Sequence, residues 1–381
     1  MLLEYATTTI APSALIAEIS STINEDLAEE WRALCAEGPC DQPFFRPEWI
    51  TAYGRAFAPE KKLLVLTVRS AGHLRAVLPL LEERASLHGV PVRKLRSAAN
   101  AHSCRFDVIH GAVDREDAVQ SCWNLLKRTS GWDVIELEDV PAGGAGESLL
   151  RLAAADGFHC GQWSRPPGSY LALPEAANCD DVLPTLVSSK LRKSLRYYQR
   201  KLESQGTLQF RRIAENDLTS LEQFYQLEHA GWKGRAGTAI ACDAATRQFY
   251  DDVAHVATQH GYFSLYSLEL NQRPIAMQYC LNDGGRLYLL KPAFDEAFSA
   301  YSPGHLITYE VLRDLISRGF REYDFLSPHS EWKGRWAQTL RAQSTCYVFR
   351  RGLVGTLLHT WKFQVAQTAR QLKGKWKQDD R

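Results

Sequence analysis

Three short stretches concentrate the residue types that can do chemistry. The first is Glu228-His229-Ala230-Gly231-Trp232-Lys233-Gly234-Arg235-Ala236-Gly237. It sets a carboxylate, an imidazole, an indole and two lysine or arginine cations among three glycines. Such glycines favour a backbone-exposing loop, and loops of this kind commonly line ligand sites. The plainer reading is a helix end anchored by Trp232. The second stretch, Tyr301-Ser302-Pro303-Gly304-His305, runs straight into a helical pattern. A helix start leaves backbone N–H groups and the positive end of the dipole facing outward, which suits an anion such as a pyrophosphate. The same residues also make a good cap, with Ser302 at the N-cap and Pro303 at the first helical position. The third is Tyr323-Asp324-Phe325-Leu326-Ser327 followed by Glu331-Trp332-Lys333-Gly334-Arg335-Trp336. Asp324 sits in an otherwise apolar strand, where a carboxylate needs a partner or a task. The tryptophan–lysine run after it reads as part of a site or as an aromatic clasp.

These stretches hang on a repeated order of elements. Residues 62–69 and 74–81, joined at Ala71-Gly72-His73, read as a β-hairpin by their Leu/Val content. Residues 262–270 and 274–281, joined at Asn271-Gln272-Arg273, repeat it. Each hairpin leads to a strand (92–96; 286–291), a long loop, a helix (117–128; 305–318) and a last strand (132–137; 322–326). The pattern predicts two α/β units with mixed sheets. Pro166-Pro167-Gly168, Pro174 and Pro184 break regular structure and place a linker at 166–188. That gives an N-terminal unit over 1–165, a second unit over 189–350 and a basic amphipathic helix within 351–381. A basic helix over 189–203, capped by Ser188 or Ser189 and ended by Gly206, opens the second unit. In a C-terminal helix over 353–372, Val354, Leu357, Leu358, Trp361 and Val365 share one face.

The composition bounds the function classes. With 45% hydrophobic and 23% charged residues, the 381-residue chain is an ordinary globular protein of about two domains. A net charge of +1 excludes a general nucleic-acid binder. The charge is uneven, however. Residues 190–212 and 350–377 each carry +7, which leaves −13 on the rest. Such segments are either solvated helix faces or surfaces for a phosphate-bearing ligand, an acidic carrier protein or anionic lipid. Nine scattered cysteines without C-x-x-C, no apolar run of spanning length and no secretory pattern in Met1–Ile10 point to a reduced, cytoplasmic chain. There is no P-loop and no G-x-S-x-G. Gly143-Gly144-Ala145-Gly146 lacks dinucleotide-site spacing, and no His/Cys set has metal spacing.

The S-P-G loop before a helix, the strand Y-D-F-L and the W-K-x-x-W element, in that order, resemble the second domain of the BioF2-like acyltransferases. These include CelD-like proteins and are related to the FemAB aminoacyltransferases. Pro43-Phe44-Phe45-Arg46-Pro47-Glu48-Trp49-Ile50 and Val77-Leu78-Pro79-Leu80 resemble that family's first half, so the likeness runs over residues 30–350. Ser327 stands where the family often has Gly, and Trp332 where it often has Tyr or Phe. The resemblance implies an α/β fold, α+β mixed sheets in tandem GNAT-like (acyl-CoA N-acyltransferase) domains, with the first degenerate. Its loop 101–111 would line the acceptor cleft.

In such folds the thioester donor lies where parallel strands splay, here near 287–291, 302–305 and 323–325. The resemblance then implies roles. His229 and Asp324 are candidate bases, or Asp324 holds the acceptor's ammonium before a water removes its proton; Lys333 polarises the thioester carbonyl and Tyr301 protonates the departing thiolate. Lys291, Ser302, Gly304, His305, Arg192 and Arg196 bind the donor. Glu228, Trp232, Lys233 and Trp332 meet the acceptor. No metal and no tightly bound cofactor are implied; the co-substrate is acyl-CoA or acyl carrier protein.

The expected function is transfer of an acyl group from that thioester to an amine, in cell-envelope or exopolysaccharide assembly. The alternative is a non-catalytic GNAT-like module that holds a carrier protein or a polysaccharide-synthesis partner. An aminoacyl-tRNA donor is disfavoured, because only residues 204–227 separate the basic helix from Glu228 and leave no room for the FemAB coiled-coil arm. The C-terminal helix either packs its apolar face on the second unit or makes peripheral contact with the inner face of a membrane.

Overall fold

A computed structural model describes residues 15–113, 115–175, 179–215, 217–337 and 339–365. The first half holds strands β1 (Ile16–Ser20), β2 (Lys62–Ser70), β3 (His73–Leu87), β4 (Val90–Ser97), β5 (Ile109–His110), β6 (Val134–Pro141) and β7 (His159–Ala172). Its helices are α1 (Glu25–Glu37), α2 (Pro47–Phe57), α3 (Arg115–Arg128) and α4 (Ala145–Ala155). Then come α5 (Cys179–Leu186), α6 (Ser189–Glu203), β8 (Leu208–Ile213), α7 (Leu218–Ala230), α8 (Trp232–Arg235) and α9 (Ala244–Gln259). Strands β9 (Phe263–Leu270), β10 (Arg273–Asp283) and β11 (Arg286–Phe294) lead to α10 (Pro303–Ser317), β12 (Glu322–Pro328), α11 (Glu331–Gly334), β13 (Thr339–Phe349) and α12 (Leu353–Thr360).

The two hairpins form for the same local reason. Ala71-Gly72 and Asn271-Gln272 all have positive φ, the signature of a two-residue turn whose twist matches that of its strands. After each hairpin come a strand, a helix and a strand: β4, α3 and β6 in one half, with the two-residue β5 before α3, and β11, α10 and β12 in the other. Each half has one parallel pair, β4 with β6 and β11 with β12, and each ladder runs for only three residue pairs.

The described strands form one sheet in the order β1-β2-β3-β4-β6-β13-β7-β12-β11-β10-β9-β8, with β5 beside β3. The centre is an exchange. β13, from the end of the second half, lies between β6 and β7. β7, from the first half, lies between β13 and β12. This corrects the expected linker at 166–188, because Pro166-Pro167-Gly168 lie inside β7 and residues 179–186 are helical. The prolines are tolerated because the register with β13 shifts between Arg341 and Gln343, opposite them. A bulge needs no N–H at that point.

The exchange predicts that neither half folds alone. A chain ended after Pro328 lacks β13 and opens the facing edges of β6 and β7. It is expected to be aggregated or unfolded by circular dichroism, where the full chain is cooperative. A soluble, folded fragment of that length would contradict it.

Helices cover both faces. α3 and α4 pack on one apolar cluster with Trp123 and Leu149. α5, α6 and α10 pack on another through Leu183, Leu195 and Leu312. α1, α2, α7 and α9 share a third, joined by Trp49, Phe249 and Tyr279, which ties the halves together.

Candidate functional site

Two distortions part β11 from β12 after the pair Tyr288–Asp324. In β11 the register with β10 slips, leaving Leu290 as an extra residue. In β12 Leu326 takes φ +56°, a left-handed conformation rare for a leucine. Side chains hold that kink. The Leu326 N–H donates to Asp324 Oδ1 at 2.7 Å. The other oxygen of Asp324 accepts from Arg105, of the first half, and from Arg341 of β13. Arg341 also grips Glu322 at 3.0 and 2.9 Å. Lys333 Nζ donates to the carbonyls of Phe325 and Pro328, both at 3.2 Å. Burial pushes the Lys333 ammonium down to about 8, although Cys104 and Asp324 pull the other way.

The parted end of β11 borders a cavity of ≈ 340 Å³. Leu227, Gly231, Trp232 and Met277 line one side, Gly304, Ile307 and Trp332 the other, and Pro292-Ala293-Phe294 of β11 the wall between. The lining is largely apolar. Its two charged residues satisfy each other: Lys233 Nζ donates to Glu228 Oε1 and to the Pro292 carbonyl, both at 2.7 Å. Glu228 Oε2 accepts from the Ile240 N–H at 2.8 Å. Beyond Tyr288, β11 pairs with no strand on the side of the opening; Pro292 on that stretch has no N–H, and its carbonyl accepts from Lys233.

A second cavity, ≈ 500 Å³, lies between α6 and the first turn of α10. Lys190, Ser194 and Tyr198, four residues apart on α6, face Ser302, His305 and Arg335 across it. Ser302 is the N-cap of α10 and Pro303 its first residue, as expected, but Ser302 sits at φ +50° and its side chain makes no capping hydrogen bond. His305 Nδ1 is 2.9 Å from the Trp336 indole nitrogen. Indole only donates, so the imidazole proton sits on Nε2. Burial, with Arg335 nearby, pushes His305 down to about 4 and keeps it neutral at neutral pH. The start of α10 and helix α11 separate the two cavities: Gly304 and Trp332 line the first, Ser302, His305 and Arg335 the second.

The sequence therefore placed some residues at the opening and misjudged others. Gly304, Trp332, Trp232, Glu228 and Lys233 line the first cavity, and Ser302 and His305 the second. Asp324 is not a free base, because two arginines and a backbone N–H occupy it. His229 is exposed at the end of α7 and lines neither cavity, since its neighbour Glu228 takes the inward position on the helix. Lys333 donates to the β12 carbonyls of Phe325 and Pro328 and lines neither cavity. Tyr301 accepts from Gln205 Nε2 at 2.9 Å and borders neither cavity. Lys291 lies over the Tyr250 ring, 5.6 Å from its centroid, outside both linings.

Arg192 folds back to the Val187 carbonyl at 3.1 Å and Arg196 is exposed; Lys190, one position round the helix, takes the place expected for them. Missed entirely were Met277, Phe294, Ile307 and Tyr198. Only the four-residue spacing of Lys190, Ser194 and Tyr198 carried a signal in the sequence. The first half's loop feeds the second half through Arg105, while Asp107 accepts the Ala145 and Gly146 N–H groups at 3.0 and 2.5 Å. The start of α4 is thus filled by the protein's own carboxylate.

A sheet opened between two parallel strands, beside a helix start, can hold an extended ligand against a bare strand edge. Comparison with known proteins finds likenesses in part of the sequence and in the fold. Residues 189–334 match the acetyltransferase (GNAT) domain. The described residues share the tandem GNAT fold of their solved neighbours. The crystal structure of FemX overlaps 90% of this chain and 100% of its own, with a TM-score of 0.59 at 12% identity. The C-terminal domain of an Agrobacterium fabrum protein named for lysylphosphatidylglycerol synthetase overlaps 87% and 93%, with a TM-score of 0.54 at 11% identity. A conserved Bacteroides thetaiotaomicron protein of unknown function overlaps 88% and 100%, with a TM-score of 0.52 at 10% identity. These likenesses are of fold. No curated protein sequence matches the chain.

Proposed function

We propose that the protein is an N-acyltransferase that moves an acyl group from a thioester, acyl-CoA or acyl carrier protein, to an amine. The observation that carries this is the opening between β11 and β12, with an apolar cavity on one side of the α10 start and a cationic one on the other. A thioester donor has the same two parts. Its acyl and pantetheine portion suits the apolar cavity and the β11 edge, and its phosphates suit Lys190, Arg335 and Ser302. Amide groups of the pantetheine arm would pair with the strand edge as an added strand does.

The chemistry asks little covalent work of the chain. Acyl transfer needs alignment of amine and carbonyl and donors for the developing oxyanion. In this reading N–H groups of the β11 edge other than Pro292 would supply such donors. Among the described residues lining the first cavity, Glu228 and Lys233 are the titratable ones, and they are paired. Positioning therefore carries the rate, and the amine loses its proton to solvent. The narrower BioF2-like and CelD-like assignment, with a role in envelope or polysaccharide assembly, belongs to this same reading.

The test is release of free thiol from a panel of acyl-CoA and acyl carrier protein thioesters, with amine acceptors and mass detection of the amide. Amine-dependent release supports the reading, and none with any donor sinks it. A second expectation separates the two sides of α6. Lys190→Glu should raise the apparent KM for acyl-CoA about tenfold or more, most at low salt, while Arg196→Glu leaves it within about twofold. Equal effects would remove the phosphates from the second cavity.

A further inference from the structure

Helix α12 is apolar on two sides. Its inner side sets Leu358 against Val92, Val134, Tyr347 and Phe349, and Phe363 packs on the same cluster. Packing on the sheet therefore accounts for Leu358 but not for the rest of the stripe. Leu353, Val354, Leu357 and Trp361 are 85%, 51%, 69% and 52% exposed. They fall on one outward face, where a helix covering a sheet in water normally carries polar residues. Trp361 reaches the His88 ring, 5.8 Å away at the tip of the β3–β4 hairpin, and Val90 beside that tip is also exposed. Residues 350–377 carry seven lysines and arginines and no carboxylate.

We propose that this face docks reversibly on an anionic lipid bilayer, with Leu353, Leu357 and Trp361 entering the headgroup boundary. Charge complementarity decides the occupant. A second copy on this face would bring two +7 segments together, which like-charge repulsion opposes. The chain's own continuation, residues 366–381, lies outside the described residues; its large apolar side chains are Leu372 and Trp376, too few to cover four. It does add Arg370, Lys373, Lys375, Lys377 and Arg381 against Asp379 and Asp380, a basic balance that anionic headgroups attract. No helix among the described residues is long and apolar enough to cross a membrane, so the contact is peripheral.

The experiment is co-sedimentation of the full chain with vesicles of phosphatidylglycerol mixed with phosphatidylcholine, and with phosphatidylcholine alone. The wild type should pellet with the anionic vesicles, about tenfold or more weaker on neutral ones and at high salt. The double variant Leu357→Asp, Trp361→Asp should lose about tenfold or more of that binding while staying folded by circular dichroism, since Leu357 is exposed and Trp361 half-exposed against the His88 ring. Leu353→Asp, at the most exposed position, repeats the test independently. No binding to anionic vesicles, or binding that all these variants keep, overturns the proposal. So does a wild-type dimer that the double variant converts to monomer in sedimentation velocity. Vesicle binding is read apart from thiol release, so either reading can fail while the other stands.

Discussion

Gly304→Phe is expected to lower thioester-dependent amide formation at least about 10²-fold while the protein stays folded. The fold does not ask for glycine at this position. The Gly304 backbone is not left-handed, and a Cβ there would meet nothing closer than Phe294 Cδ1 at 3.9 Å. Compare Gly168, where a Cβ would lie 2.4 Å from the Leu326 carbonyl oxygen, or Gly234, 1.8 Å from that of His229. Those two are required by backbone packing. Gly304 instead lines the cavity, and what its missing side chain leaves is room. Gly304→Ala should therefore fold at least as well, with a gain of up to about 0.5–1 kcal/mol from helix propensity, and keep part of its activity. A phenylalanine fills the space at the start of α10 and excludes an extended donor. Thermal unfolding and thiol release on the same preparations decide it. Full activity in a folded Gly304→Phe protein would place the donor elsewhere.

The contrast between Gly304 and Asp324 shows what a sequence can disclose. Local signals were faithful. The pattern predicts a basic helix over 189–203 capped by Ser188 or Ser189 and ended by Gly206; α6 runs Ser189–Glu203, the Ser188 side chain accepts from Leu191 N–H, and the C-cap is Ser204. The hairpins followed from Leu/Val content and short turns. Helix α9 went unread although Phe249, Tyr250, Val253, Ala254 and Ala257 recur on one face and Asp243 caps it. Strand β7 was hidden by a real conflict, since Pro166-Pro167 argue against a strand and only the register shift across from β13 permits them. That shift depends on a partner some 175 residues away in sequence, which no local pattern shows.

The site obeyed the same division. A carboxylate in an apolar strand announced that Asp324 needed a partner, but not that the partner would be Arg105, 219 positions earlier. Lys190 and Arg192 are equally basic and two residues apart; only the packing of α6 against α10 decides which faces a cavity. Residues that looked like chemistry, Asp324 and Lys333, prove to hold the backbone that makes the opening.

That role gives Asp324→Ala a large expected effect of a different kind: loss of about 3–5 kcal/mol of stability, rather than a loss of activity in a sound fold. Asp324 and Arg105 have side chains 1% and 5% exposed. Removing the carboxylate leaves the Arg105 guanidinium buried with Gln42 as its remaining hydrogen-bond partner, at 2.6 Å, and frees the kinked Leu326 N–H. An uncompensated buried charge costs far more than the net worth of the pair. The loss is a large part of the roughly 5–15 kcal/mol that keeps a typical domain folded.

The pair also crosses the halves, so the damage should be global rather than confined to β12. Replacing the arginine as well tests the mechanism. Arg105→Met with Asp324→Ala removes the stranded charge and should recover much of the loss, which a double-mutant cycle in denaturant measures as coupling of about 2 kcal/mol or more. If the two single changes simply add, the carboxylate is not there to neutralise Arg105. If Asp324→Ala leaves the denaturant midpoint unchanged but abolishes amide formation, Asp324 belongs to the chemistry after all, and the kink is held by Lys333 alone.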